Sequence, residues 1–476
     1  MPSAPAAHRP LRAGNPSRGD RRPDRRVPRR AQAPVVVTGP APQARTAPAG
    51  LTAAQGAALY IAAVLGPGLL VIPAAAVAAA GPSALIVLAL LTAVSVAIAV
   101  TFARLGAAVP ETGGITALTL RAFGFRAARI SAWVFFFGVP VGVPALMLFG
   151  AGYLQAGIGG GRTVTFTAAM TLLGLCALIN WFGVKASSQL QILLCGALAV
   201  AVITVALIVL PGSHPVGLTQ PVTHGFAGIA TATVLLVWSL TGWEAGTYLA
   251  GDFAHPRRDI MRATTVAVIV VSGTYLLLTL VFALNAGVAA TDAPLLHLLA
   301  SHIDTGWATS LVAALAVVVT IGGTNAYLAS LARFGTAAAR ERQLPAWLAG
   351  PTAGDRDRRA LATVTAISAI GLLAWWLLHW DATTLAAVCA ASQVAVYLFG
   401  LTAARRLMVS GRAIATAALA VMAGVFALCG SYLLAPIAIA VAATLAGQRR
   451  RQRRATARPG THNLSHSTDL TARTDH

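Results

Sequence analysis

The sequence predicts an all-α polytopic membrane protein, on three observations. Of its 476 residues 57% are apolar and only 10% are charged, whereas a globular domain carries about 25% charged residues. The mean hydropathy is +0.73. The apolar residues are collected into runs of about 17 to 25, the length an α-helix needs to cross a bilayer, and the charges stand between the runs. Runs joined by short turns make one bundle, so residues 51–447 read as a single transmembrane domain between two basic tails, 1–50 and 448–476.

Twelve runs meet the length requirement, near 53–79, 84–107, 130–157, 163–183, 188–210, 226–250, 263–287, 307–332, 360–379, 383–404, 412–429 and 431–447. The last two form a hairpin separated by little more than Gly430 and Ser431. The distribution of Lys and Arg checks the count. With a cytoplasmic amino terminus, 34 of the 35 basic residues fall inside. Ten lie in the first tail, then Arg104, Arg121, Arg126 and Arg129 after span 2, and Lys185 after span 4. Arg257, Arg258 and Arg262 follow span 6, six lie from Arg333 to Arg359, then come Arg405, Arg406 and Arg412, and seven lie after residue 447. Only Arg162, between spans 3 and 4, falls outside. A miscounted span would invert every later loop, so the segregation predicts twelve crossings with both termini cytoplasmic.

The tails are rich in Arg, Pro, Ala and Gly without apolar periodicity and are predicted to be disordered. The formal net charge of +21 sits in them and in alternate loops. That placement marks topology and contact with anionic lipid headgroups, not nucleic acid. Residues 1–50 hold no apolar signal-peptide core, so the first span directs insertion. Cys176, Cys195, Cys389 and Cys429 each lie inside an apolar run. They read as small core residues, with neither a disulfide framework nor a metal site indicated.

Function in such a bundle is expected where helices are interrupted and where a charge survives among apolar residues. Span 1 carries Leu65, Gly66, Pro67, Gly68 and Leu69 at its middle, and span 6 carries Trp238, Ser239, Leu240, Thr241, Gly242, Trp243 and Glu244. Proline removes a donor and glycine relaxes φ, so unwinding is expected. Irregular backbone at that depth is tolerated only against protein or a water-filled cavity. A lone interruption is usually a kink. Two, opening the first and second groups of five spans, are the layout of an inverted five-plus-five repeat, about 53–210 and 226–404, with a midplane substrate site and an extra hairpin at 412–447. The long inside segment 108–129 follows span 2, and the long outside segment 288–306, with Leu295, Leu296, Leu298, Leu299 and Ile303, follows span 7.

These residues resemble the amino-acid permeases of the amino acid–polyamine–organocation (APC) superfamily, which have the leucine-transporter-like fold. Gly66, Gly68 and Pro73 match that family's G-S-G-[IV]-F segment and the proline after it. Pro110, Glu111, Thr112, Gly113 and Gly114 match its P-x-x-G-G loop, and Gly242 and Glu244 its F-x-G-x-E signature. Asp252, Pro256, Arg257, Asp259 and Ala263 are similar to the acidic-x-x-x-P…R-A segment that follows. Trp133, Val134 and Phe135, leading to Val139, Pro140, Val141, Gly142, Val143, Pro144 and Ala145, are similar to the W-x-F…P-V-G-x-P-A segment of bacterial inner-membrane exporters of methionine and branched-chain amino acids. The likeness runs from about Gln55 to Arg342. Pro67 replaces a small polar residue, Leu240 the signature aromatic, and Thr116 stands where many members have Tyr.

A free amino acid presents a carboxylate beside an ammonium, and paired broken helices suit both. Amides near Gly66 to Leu69 point a positive dipole end at the carboxylate, and carbonyls near Ser239 to Thr241 accept from the ammonium. The resemblance implies the same assignment, and Pro140 and Gly142 in span 3 and Thr324 and Asn325 in span 8 are candidate further contacts. Trp238 is either a gate over the substrate or a core ring. No Lys or Arg lies in the interior of a predicted span, Arg104 and Arg412 standing at span ends, which favours a neutral aliphatic or thioether substrate. Glu244 is either the proton-coupling group or a structural carboxylate bonded to the broken backbone. Sodium would need span 1 carbonyls with the Thr320, Thr324 and Ser330 hydroxyls, which in membrane helices usually bond backbone, so a proton is the preferred coupling ion. Alternating access is reversible, and only the span 3 likeness favours efflux. The acidic residues and histidines are scattered, as expected of a protein that is not an enzyme and has no cofactor. A transport-inactive sensor on this fold, or an uptake permease for another small organic amine or acid, is the alternative reading.

Overall fold

Each of the twelve apolar runs overlaps helix in a computed structural model of the chain, which describes residues 51–108, 114–183, 188–213, 218, 224–244, 253–289, 291–302, 306–350, 357–408 and 410–456. Span 1 opens at a capping box. Thr52 Oγ1 accepts the Gln55 N–H at 3.3 Å and Gln55 Oε1 accepts the Thr52 N–H at 3.0 Å, which satisfies two orphan donors of the first turn. The span is then split into α1 (Ala53–Val64), a 3-10 turn (Pro67–Leu70) and α2 (Ile72–Ala80). Next come α3 (Ser83–Ala108) and α4 (Gly114–Phe123). Span 3 follows as α5 (Phe125–Trp133), a π segment (Val134–Gly138), a 3-10 turn (Val139–Val141) and α6 (Gly142–Ile158).

Then follow α7 (Gly161–Trp181), α8 (Ser188–Val209) and α9 (Gly225–Ser239). The remaining helices are α10 (Pro256–Leu284), α11 (Pro294–Ala300), α12 (Gly306–Arg340), α13 (Arg358–Leu378), α14 (Ala382–Leu407), α15 (Arg412–Leu428) and α16 (Leu434–Thr456). Eight of the described helical segments are long and apolar enough to cross a membrane, and five shorter apolar helices accompany them. Spans 1, 5, 6 and 11 fall on the shorter ones, and α4 lies in the long segment after span 2. Among the described residues the molecule is an all-α bundle of apolar helices, as a polytopic membrane protein requires.

Packing arranges these helices in two matching sets. Span 1 packs on span 7 and span 6 on span 2; span 3 packs on spans 4, 9 and 10, and span 8 on spans 9, 4 and 5. Span 1 meets span 5 as span 6 meets span 10, and span 5 meets span 7 as span 10 meets span 2. The pairs 1 with 6, 2 with 7, 3 with 8 and 4 with 9 are also packed. Exchanging the first five spans with the second five leaves this set of pairs unchanged. A five-plus-five repeat requires that, and an odd number of crossings per repeat places the two starts on opposite faces.

Several expectations change. Span 3 begins at Phe125, before the run at 130, and carries a third interruption. The cause is Pro140 and Pro144, which withhold the amide bonds that Phe136 and Pro140 carbonyls would receive in an α-helix. The last helix does not stop at 447 but continues to Thr456. Arg, Gln and Ala are good helix formers, and cations suit a helix carboxyl end, so the expectation of a disordered tail from 448 is corrected for 448–456. Arg162 is not a loop residue. It stands in the first turn of α7, donates to the Trp375 carbonyl in the last turn of α13 and lies 3.9 Å from that indole's centre. At the other end of the same helix pair Arg358 lies 5.1 Å from the Trp181 ring centre. The leucines of the segment after span 7 are buried on α11. The first tail, 457–476, Pro110 to Gly113, Lys185, His214, Asp252, Ile303 and the part of span 6 beyond Glu244 lie outside the described residues, as do the Cys195 and Arg257 side chains.

Candidate functional site

The two sequence-predicted interruptions meet. The ladder of α1 ends with the Leu65 N–H on the Ile61 carbonyl at 2.7 Å. Gly66 donates to Val64 at 3.0 Å and Leu69 to Gly66 at 3.0 Å, closing a tight 3-10 turn where the sequence suggested looser unwinding. Two of the amides expected to face a carboxylate are therefore bonded within the turn, and Pro67 has none. In span 6 the ladder of α9 ends with the Leu240 N–H on Leu236 at 3.2 Å and Val237 at 3.1 Å; the Ser239, Leu240 and Thr241 carbonyls lie past it.

Gly242 is where the breaks touch. Its φ is +119°, a conformation open essentially to glycine alone. A Cβ there would lie 3.0 Å from the Ala63 carbonyl oxygen and 3.1 Å from Val64 Cγ2. Beside Gly66 the geometry is the reverse, since a Cβ would meet nothing within 4 Å. Trp238, 8% exposed, stands on this junction. Its ring would be 3.6 Å from a Cβ at Gly68 and 3.3 Å from one at Gly142, and Phe149 meets it edge-on at 6.3 Å. The indole thus joins the break of span 1 to the break of span 3.

Span 10 supplies the polar partners, and the sequence reading missed them. Tyr397 on α14 accepts the Gly242 N–H at 2.8 Å and donates to Glu244 Oε2, which itself accepts from Gly242 at 3.1 Å. One turn earlier, Gln393 Oε1 lies 2.6 Å from the Thr241 hydroxyl, which is also 2.6 Å from the Trp238 carbonyl. A hydroxyl has one proton, so turning the Gln393 amide lets its Nε2 donate to Thr241 while Thr241 donates to Trp238. One turn earlier still, the Cys389 thiol donates to the Val139 carbonyl at 3.2 Å. Cys389, Gln393 and Tyr397 are spaced four apart, which places them on one helix face. That polar stripe in an otherwise apolar run was the available signal.

The remaining candidates separate. Gly142 lies against Trp238 and Cys389. Pro140 is buried, and its carbonyl accepts from Ser368 of α13 at 3.4 Å. Gly323 places α12 against Pro67, with a Cβ there 3.0 Å from its Cδ, and the adjacent Thr324 is fully buried. Asn325 is drawn the other way, its Oδ1 accepting from Asn180 of α7 at 2.7 Å. Tyr153 adds an unforeseen link, donating to the Leu70 carbonyl at 2.9 Å and accepting the Leu295 N–H of α11 at 3.1 Å. Among the described residues no group of three or more His, Cys, Asp or Glu is placed to hold a metal ion.

The family model for amino acid permeases matches residues 51–450. The uncharacterized amino acid permease YecA of Bacillus subtilis (strain 168) is 29% identical over 407 residues, 82% of this chain and 94% of that one. The L-methionine/branched-chain amino acid exporter YjeH of Escherichia coli (strain K12) is 30% identical over 224 residues, 47% of this chain and about half, 53%, of the exporter. An uncharacterized transporter of Legionella pneumophila is 25% identical over 268 residues, 52% of this chain and 57% of that one. A family match over residues 51–450, on a chain whose described residues form an all-α bundle with interrupted helices, has one reading: the chain belongs to the amino acid permease family and is a transporter, not an enzyme.

Proposed function

We propose that this chain exports neutral amino acids of the methionine or leucine type by alternating access, coupled to protons, across a bacterial inner membrane with both termini cytoplasmic. The observation that carries the reading is the contact of the two helix breaks at Gly242, Ala63 and Gly68, with Trp238 over them and open space beside Gly66. An amino-acid carboxylate there faces the start of the second half of span 1, and its ammonium faces the carbonyls at the end of α9. The described surroundings hold no cation for an acidic side chain, and the one carboxylate, Glu244, is already the acceptor for Gly242 and Tyr397. A neutral side chain follows. The half-length likeness to the exporter favours efflux.

Glu244 joins charge to shape in this reading. Its carboxylate holds the Gly242 amide and the Tyr397 hydroxyl, so taking up a proton weakens two charge-assisted bonds at the break. Sodium is the second reading: Asn325 of span 8 is engaged by Asn180, but the Thr320 and Thr324 hydroxyls, expected from the sequence to bond backbone, are buried without a hydrogen-bond partner. The test is counterflow: purified protein in liposomes preloaded with each unlabelled amino acid in turn, with labelled leucine or methionine outside. Accumulation driven by aliphatic or methionine loads, unchanged when potassium replaces sodium and lost when Gly66 or Gly68 is made bulky, is the expected result. Absence of exchange with any amino acid by folded protein refutes it and leaves the sensor reading or another small organic substrate.

A further inference from the structure

Pro140 and Pro144 account for the break in span 3, but they do not account for the glycine between them. Gly142 has a φ of −77°, open to any residue, so its conformation does not demand glycine. Space does. A Cβ there would lie 2.7 Å from Cys389 Sγ, 3.0 Å from Cys389 Cβ and 3.3 Å from Trp238 Cζ2. Cys389 is fixed in place. Its thiol is bonded to the Val139 carbonyl at 3.2 Å, and one turn away on both helices Gly138 lies so close to Ser392 that a Cβ there would overlap the hydroxyl. Small residues four apart bring spans 3 and 10 into close contact here, as they do between membrane helices generally.

The indole is the neighbour that can yield. Its Cζ2 faces Gly142, and its Cζ3 faces Gly68, where no side chain stands and a Cβ would be 3.6 Å away. Gly68 is two residues from Gly66 and the open space beside it. How far the ring lies back against span 3 therefore decides how much room remains at the break of span 1. We propose that Gly142, backed by Cys389, determines which substrates fit: a bare backbone at 142 lets the Trp238 ring recede and leaves room for a side chain of leucine or methionine size. This inference rests on the substrate site proposed above and deepens it. A methyl group at 142 carries the ring toward Gly68 and shortens the site, whereas loss of the sulfur at 389 lets the ring settle further back. One methylene in an apolar pocket is discriminated by about 10–200-fold, so a small displacement of the ring is readable as a change of preference.

The test is competition in counterflow by the full chain in liposomes, with labelled leucine or alanine as tracer and unlabelled alanine, leucine, methionine and phenylalanine as competitors. The readout is the ratio of half-inhibitory concentrations. That ratio does not depend on how much protein is folded, so a merely structural defect leaves it unmoved. Gly142→Ala is expected to shift the ratio at least fivefold toward alanine and away from leucine. Cys389→Ala is expected to shift it at least fivefold toward phenylalanine relative to leucine. In the double variant the new methyl takes the room the sulfur gave up, and the alanine-to-leucine ratio should return to within twofold of the parent. Cys389→Ala, which only removes atoms from the core, decides the matter should Gly142→Ala fail to fold. Unchanged ratios in a folded variant, or uniform weakening of all four competitors, overturn the proposal while leucine counterflow by the parent leaves the permease reading standing. Absence of counterflow by the parent overturns both.

Discussion

Replacing Gly242 and Gly66 by alanine asks whether the two breaks differ as the backbone says. At Gly242 the φ of +119° costs an L-residue about 1–3 kcal/mol. The new Cβ also sits 3.0 Å from a main-chain oxygen that cannot step aside without moving α1. A penalty of about 1–3 kcal/mol is a factor of about 5–150 in an equilibrium. At Gly66 the φ is −97°, open to any residue, and the Cβ meets nothing within 4 Å. There alanine should leave stability within about 0.5 kcal/mol of the parent or raise it slightly by restricting the unfolded chain. Detergent-purified variants heated side by side, with loss of monodisperse protein as the readout, should show Gly242→Ala failing first and Gly66→Ala matching the parent. Counterflow on the folded fraction should fall for both, at Gly66 because the methyl enters the open space beside the break. Equal thermal behaviour of the two variants would refute the reasoning.

Three further outcomes follow from contacts on the page. Tyr397→Phe removes the hydroxyl shared by Gly242 and Glu244 and should cost about 1–3 kcal/mol, seen as lower thermal stability and slower counterflow; a silent variant would show that the triangle does not hold the break. Glu244→Gln keeps an acceptor for Gly242 but cannot exchange a proton at neutral pH, so counterflow should persist while the pH dependence of gradient-driven transport disappears; unchanged pH dependence removes the proton role. Arg162→Met keeps the apolar stem but loses the Trp375 carbonyl and ring, a loss of about 1–2 kcal/mol; thermal inactivation of the variant against the parent checks it.

Much of the fold was legible because its determinants are local. Hydropathy averaged over a run and the alternation of basic loops are properties of neighbouring residues, and they marked all twelve helical spans without tertiary information. The breaks in spans 1 and 6 were equally local, since Gly66, Pro67, Gly68 and Gly242 disfavour continuous helix whatever surrounds them. Pro140 and Pro144 carried the same message for span 3, but there they served only as a family likeness. Arg162 misled for a physical reason: a basic residue between two spans looks like any loop cation until the helix whose carboxyl end it caps is in place.

The sequence by itself determined the class of molecule, the number of crossings and two of the three interruptions at its centre. Only the tertiary structure decided which groups those interruptions meet. Tyr397, Gln393 and Cys389 reach Gly242, Thr241 and Val139 across about 150 to 250 residues of chain, and Asn325 turns to Asn180 and away from span 1. Such pairings depend on the rotation and axial register of each helix against its neighbours. In a bilayer, where lipid is as apolar as the side chains, that register is set by small residues and interhelical hydrogen bonds spread through the bundle, and no single run of sequence contains it.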